Sequence, residues 1–240
     1  MSTTIIVLLA YLVPLITVYI VQPSVAKVAL AKNFIAEPEE RFAGIPLLSL
    51  GGVSMFIGIN LSVSLLCTRV GFLSMHAVIA ALIVLLFSGF IIDTSLAVRY
   101  FRFSVKLLAA ILVVFRFHEG AFQLLPNLPV WTNILLQIGF LVGFMLLYHR
   151  LTTYKKTLLL LLAIANALAF GVIFWPNQHE FHWSLLAFSL AGSLSGIMTY
   201  ARYAHRLNKP LPLIGHTGIY FTALLLGTLW LTFFRVHPIF

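Results

Sequence analysis

Six carboxylates, eight histidines and one cysteine are the groups in this 240-residue chain that could ligate a metal or act as nucleophiles. Asp93 closes an apolar run, with Arg99 and Arg102 after it. A carboxylate there can ligate a divalent cation or pair locally with the guanidinium groups. Glu37, Glu39 and Glu40 share one polar interval, and Glu119 and Glu180 fall in two others. His179-Glu-Phe-His182 brings two imidazoles near a carboxylate, but it lacks the His-Glu-x-x-His spacing that sets both rings on one helical face, so it reads as a surface loop. Arg41, Lys155, Lys156, Arg202 and Arg206 could grip a phosphate, although membrane orientation explains such cations equally well. Asn60, Gln137 and Asn166 lie inside apolar stretches and must find partners there, which points to hydrogen bonds between helices. Cys67, the single cysteine, has no disulfide partner within the chain and reads as a small apolar residue near a helix end.

The elements that position these residues follow from composition. Hydrophobic residues make up 61% of the chain and charged ones 9%, against about a quarter charged in a soluble domain. Crossing the bilayer takes about 20 apolar residues. Runs of that kind occur at roughly 4–22, 46–66, 74–92, 103–117, 131–148, 157–174, 183–201 and 215–234. The fourth is the weakest, since its apolar stretch from Val105 to Phe115 is short and bounded by Lys106 and Arg116. Charge tests the count. With eight crossings, twelve of the fifteen Lys and Arg residues fall on one side and only Arg69, Arg116 and Arg235 on the other, the asymmetry of a cytoplasmic face. The first run has no Lys or Arg before it, and Lys27 and Lys32 follow, so it reads as an anchor with its N-terminus outside rather than a cleaved leader. The expected fold is an all-α polytopic membrane bundle of about eight transmembrane helices, with residues 1–240 as one domain. The formal charge of +9 then gathers at the face of anionic headgroups and phosphates, and no soluble module is left to bind nucleic acid.

Three segments assigned to that face carry a resemblance. Arg41-Phe-Ala-Gly-Ile-Pro46 leads through Leu47, Leu48 and Ser49 to Gly51-Gly52. Gly89-Phe-Ile-Ile-Asp93 is followed by Arg102 and Leu107-Leu-Ala-Ala110, and Ile214-Gly-His-Thr-Gly218 opens the last apolar run. In order and spacing these resemble the first cytoplasmic loop, the paired-Asp segment and the Gly-Asp-Thr-Gly segment of the polyprenyl-phosphate N-acetylhexosamine-1-phosphate transferases, glycosyltransferase family 4. The chain departs from that pattern: Ile92 replaces the first Asp of the pair, and His216 stands where the late segment has Asp. The family's Asn- and Asp-rich segment after the fifth span and its His-rich loop near the C-terminus have no counterpart.

The resemblance implies Arg41, Pro46, Gly51, Gly52, Arg102, Gly215, Thr217 and Gly218 as substrate-binding positions, Asp93 as the metal position, and Asp93 with His216 as the catalytic groups of an active enzyme. Sugar-phosphate transfer between a nucleotide diphosphate and a lipid phosphate crowds negative oxygens together, and magnesium held by carboxylates normally bridges them. Asp93 is the only cytoplasmic carboxylate on a helix end, and imidazole suits magnesium poorly. The expected protein is therefore a degenerate homologue without catalysis or cofactor, in a bacterial inner membrane, binding a polyprenyl phosphate or a membrane partner in envelope polysaccharide synthesis. One alternative is an active, magnesium-dependent transferase with a rearranged site; another is a small transporter with Asn60, Gln137 and Asn166 along a polar path. Gly139-x-x-x-Gly143 and Gly192-x-x-x-Gly196 offer close helix contacts, within the chain or to another copy, and Trp131, Trp175 and Trp183 fit an outer interfacial belt.

Overall fold

The computed structural model describes residues 3–31, 47–48, 50–93, 99–118, 129–154, 156–177, 179–207, 211–212 and 214–236. These form a helical membrane bundle: α1 (Thr3–Ala31), α2 (Gly51–Leu66), α3 (Arg69–Asp93), α4 (Arg99–His118), α5 (Val130–Tyr154), α6 (Lys156–Phe174), α7 (Phe181–Arg206) and α8 (Gly215–Val236). Two short strands, β1 (Leu47–Leu48) and β2 (Leu211–Pro212), precede α2 and α8. Five helices, α1 and α5 to α8, are long and apolar enough to cross a membrane, and α2 and Met75–Gly89 within α3 are shorter apolar helices. α4 belongs to neither group. At 20 residues it is about 30 Å long, yet its cations make it more amphipathic than the other helices.

Helix directions alternate, as contacts at the helix ends show. Gln22 late in α1 accepts a hydrogen bond from Ser54 early in α2. Tyr19 of α1 lies against Tyr200 and Tyr203 late in α7. His149 late in α5 lies against His216 early in α8. At the opposite end, Ser184 early in α7 donates to the Gly171 carbonyl late in α6 at 2.7 Å. The first three contacts gather at the end to which the charge count assigns the cytoplasm.

α7 and α8 form the interior, with 78% and 67% of their apolar stretches buried against a third or less for α1, α5 and α6. Lipid is as apolar as leucine, so helices in a bilayer are drawn together by close packing and polar contacts. α1 meets both needs on α2 and α7. Pro14 has no N–H for the carbonyl of Ala10, and Ser62 of α2 donates to that carbonyl at 3.3 Å. The hydroxyls of Ser62 and Ser189 of α7 are hydrogen-bonded at 2.8 Å. A Cβ on Gly192 would stand 2.1 Å from the Tyr11 carbonyl oxygen, and one on Gly196 would stand 2.7 Å from that of Leu15. This glycine pair lets α7 seat directly on the backbone of α1. The other pair does not act this way, since nothing lies within 4 Å of a Cβ on Gly139 or Gly143.

Two expectations need correcting. Asn60 and Asn166 bond within their own helices, to the carbonyls of Phe56 at 2.9 Å and Leu162 at 3.0 Å. Ser54, Ser62, Ser184 and Ser189, which can sit flush against a neighbouring helix, donate or share the hydrogen bonds between helices named above. Trp183 is 3% exposed and lies in the core, whereas Trp131 is 73% exposed and fits the belt.

Gly192→Val should lower the thermal midpoint in detergent, at a cost of about 1–3 kcal/mol for forcing α1 from α7. Gly139→Val should stay within about 0.5 kcal/mol of the parent. Equal effects would refute this packing account. Cys67 caps α2, its N–H bonded to the Val63 carbonyl at 2.9 Å, and burial pushes its thiol up to about 11. Since the thiolate is the nucleophile, maleimide labelling at pH 8 should be slow and should accelerate up to about pH 11.

Candidate functional site at the start of the last helix

β1 pairs in parallel with β2, Leu47 opposite Leu211 and Leu48 opposite Pro212. The pairing fixes the entries to α2 and α8 side by side, although some 160 residues separate them in sequence. Gly215, the first residue of α8, has φ 63°, a conformation in which a side chain would be strained. The chain thereby turns from strand into helix within a few residues.

The first turn of α8 then lies against α2 and α3. A Cβ on Gly52 would stand 2.5 Å from the Gly218 nitrogen and 2.7 Å from Thr217 Cβ. One on Gly89 would stand 2.1 Å from Thr217 Oγ1 and 2.8 Å from Thr217 Cα. Thr217 is 2% exposed. Glycine is required on both neighbours because the backbone of α8 occupies the space a side chain would need. Gly51, Gly52, Gly89, Thr217 and Gly218, taken from three separate sequence segments, therefore occupy one junction. Neither α2 nor α8 has an acidic residue in its first turn, so the partial positive charge of both helix N-termini is uncompensated from within.

Beside this junction lies a cluster of cationic, imidazole and phenol side chains. His149 of α5 sits with its ring 5.3 Å from His216 and 5.6 Å from Tyr220. Lys106 of α4 places Nζ 4.5 Å from the centre of the Tyr220 ring. Arg102 lies one helical turn before Lys106, and both cations lie near His149. Lys106 is only 4% exposed, and among the described residues no carboxylate pairs with it. The buried Nε of Arg102 has no hydrogen-bond partner among them either.

Of the positions the sequence singled out, Gly51, Gly52, Thr217 and Gly218 meet at the junction, Gly215 makes the turn into it, and Arg102 and His216 belong to the basic cluster. Arg41 and Pro46 lie outside the described residues, as does the side chain of Asp93, whose backbone ends α3. Lys106, His149 and Tyr220 were missed. Lys106 reads in the sequence as an orientation charge, Tyr220 falls within the last apolar run and His149 just after the fifth, although the spacing of Arg102 and Lys106, four residues apart, puts two cations on one helical face.

Magnesium does not fit this cluster. Its four nitrogen-bearing side chains include two that carry positive charge, and the ion prefers carboxylate and water oxygens. An anion with several acceptor oxygens matches both the charge and the donors.

No protein-family model matches the chain, and no curated protein matches it.

If Gly89 is glycine because Thr217 fills its space, Gly89→Ala should cost about 1–3 kcal/mol in detergent unfolding. Thr217→Gly in the same chain should recover part of that loss, a coupling visible in a double-mutant cycle. Strict additivity would contradict the contact.

Proposed function

We propose that this protein is a non-catalytic relative of the polyprenyl-phosphate sugar-1-phosphate transferases that holds a lipid phosphate at the cytoplasmic face of a bacterial inner membrane, within envelope polysaccharide assembly. The observation that carries the reading is the convergence of Gly52, Gly89, Thr217 and Gly218 from three sequence-distant segments, next to a cluster with excess positive charge. Convergence of this kind is what a shared headgroup site requires, and helix N-termini flanked by cations favour an anion.

The surroundings suit a lipid. Tyr148, the neighbour of His149 in the chain, lines an open groove of about 230 Å³ with Leu151, Leu159, Ala163 and Trp230, between α5, α6 and α8. The groove is apolar except for Asn166 and the Tyr148 and Trp230 polar atoms, which fits a hydrocarbon chain better than an aqueous path. Asn60 is not among its lining residues, so the groove does not unite the polar residues a transporter reading would place along one path.

The non-catalytic reading is supported by the scarcity of carboxylates: among the described residues Asp93 is the only one at the cytoplasmic helix ends, and a bridging magnesium normally needs more oxygen ligands than one carboxylate organises.

Purified protein incubated with labelled UDP-N-acetylhexosamine, polyprenyl phosphate and magnesium should form no lipid-linked product, while retaining polyprenyl phosphate on native mass spectrometry. Product that vanishes in Asp93→Asn would establish an active transferase instead. Failure to retain the lipid phosphate in preference to the free alcohol would remove the binding role.

A further inference from the structure

Lys106 is the least expected residue in the bundle. An ammonium withdrawn from water loses hydration that an opposite charge normally replaces. Here the residue as a whole is 4% exposed, and the interaction its ammonium finds among the described residues is the face of the Tyr220 ring. A cation over an aromatic face recovers part of that loss.

The neighbouring charges increase it. Arg102 stands one turn away on the same helix with its buried Nε unpartnered, and its charge bears on Lys106 directly. His149 and His216 lie with their rings close to each other and to Tyr220. No carboxylate of the described residues enters the group, and the adjoining first turn of α8 adds partial positive charge. Like charges held together out of water are stable when an anion sits among them. A solvated surface would need no such arrangement, and ordinary membrane orientation places cations at the headgroups with their charged tips in water.

We infer that Lys106, with Arg102, His149 and His216, forms an anion site for the phosphate of a phosphomonoester or diphosphate, in which the side-chain cations take the place of a divalent metal. This rests on the lipid-phosphate reading and deepens it by stating where the phosphate sits and what neutralises it. The ammonium and guanidinium supply charge-assisted hydrogen bonds, and either imidazole donates through a ring N–H. Binding then requires no magnesium.

The test uses the full chain in detergent with EDTA, probed with farnesyl phosphate, farnesol and inorganic phosphate, and read by thermal unfolding and isothermal calorimetry. Farnesyl phosphate should bind in EDTA and raise the unfolding midpoint, and farnesol should not. Lys106→Met should weaken that binding roughly tenfold or more, the loss of a charged hydrogen bond. The same variant without ligand should unfold at an equal or higher temperature, because it removes a charge with which no carboxylate of the described residues pairs. A merely structural Lys106 would instead leave the variant less stable and the affinity unchanged, which overturns the site. Arg102→Gln, at a half-buried position, provides a second variant with the same expected loss of affinity.

Other outcomes separate the site from the function. Farnesyl phosphate bound equally by parent and Lys106→Met would overturn this site while the lipid reading survives. Binding that disappears in EDTA and returns with magnesium would overturn the metal-free account. Inorganic phosphate bound as tightly as farnesyl phosphate, and lost in Lys106→Met, would uphold the site and remove the lipid. Binding of neither phosphate would overturn both.

Discussion

The backbone of α8 comes within side-chain distance of α2 and α3, and the rest of the cytoplasmic end is arranged around that approach. Within a bilayer, exclusion from water does not press one helix against another, so separation is set by the size of the residues between them. Gly52 and Gly89 reduce that size to a hydrogen atom, and Thr217 takes the space. The same device, glycine against a backbone carbonyl, joins α7 to α1 through Gly192 and Gly196. Two glycine-based contacts thus fix the two most buried helices, α7 and α8, and the remaining helices pack around them.

Tight placement of α8 has an electrostatic consequence. Tyr220 lies one turn beyond His216, so fixing the start of α8 fixes where the Tyr220 ring meets Lys106 and where the two imidazoles touch. A looser helix could rotate those groups toward the headgroup region and relieve the repulsion. The packing does not allow it. The bundle therefore holds Arg102 and Lys106 close together, an arrangement that suits a site where the ligand supplies the opposite charge.

Much of the fold was legible in the sequence because hydrocarbon imposes one requirement on every spanning segment. All eight expected apolar runs became helices in the expected order, α6 and α8 to within a few residues. The ends that differ do so for local reasons. α1 continues to Ala31, past the apolar run, because Pro23 removes one hydrogen bond without ending the helix. α2 begins at Gly51 rather than 46 because the preceding residues pair as a strand with β2, a contact between distant segments that no local pattern could reveal. The site was legible only in part. The glycine segments were found through their order along the chain, while Lys106 and His149 acquire meaning only from Tyr220 and His216, on a helix more than 60 residues away. Asn60 and Asn166 misled for the opposite reason: the amide of each reaches the carbonyl one turn back, which satisfies it without a neighbour.

The central claim is that a phosphate completes the charge around Lys106. The most direct measurement is an experimental structure of the protein with farnesyl phosphate, prepared in EDTA. Density for the phosphate within hydrogen-bonding distance of Lys106 Nζ and Arg102, with its hydrocarbon chain leaving toward Tyr148 and the α5–α6–α8 groove, is the expected result. Phosphate density bridged by a metal at Asp93, with Lys106 still against Tyr220 and no anion beside it, would contradict the account.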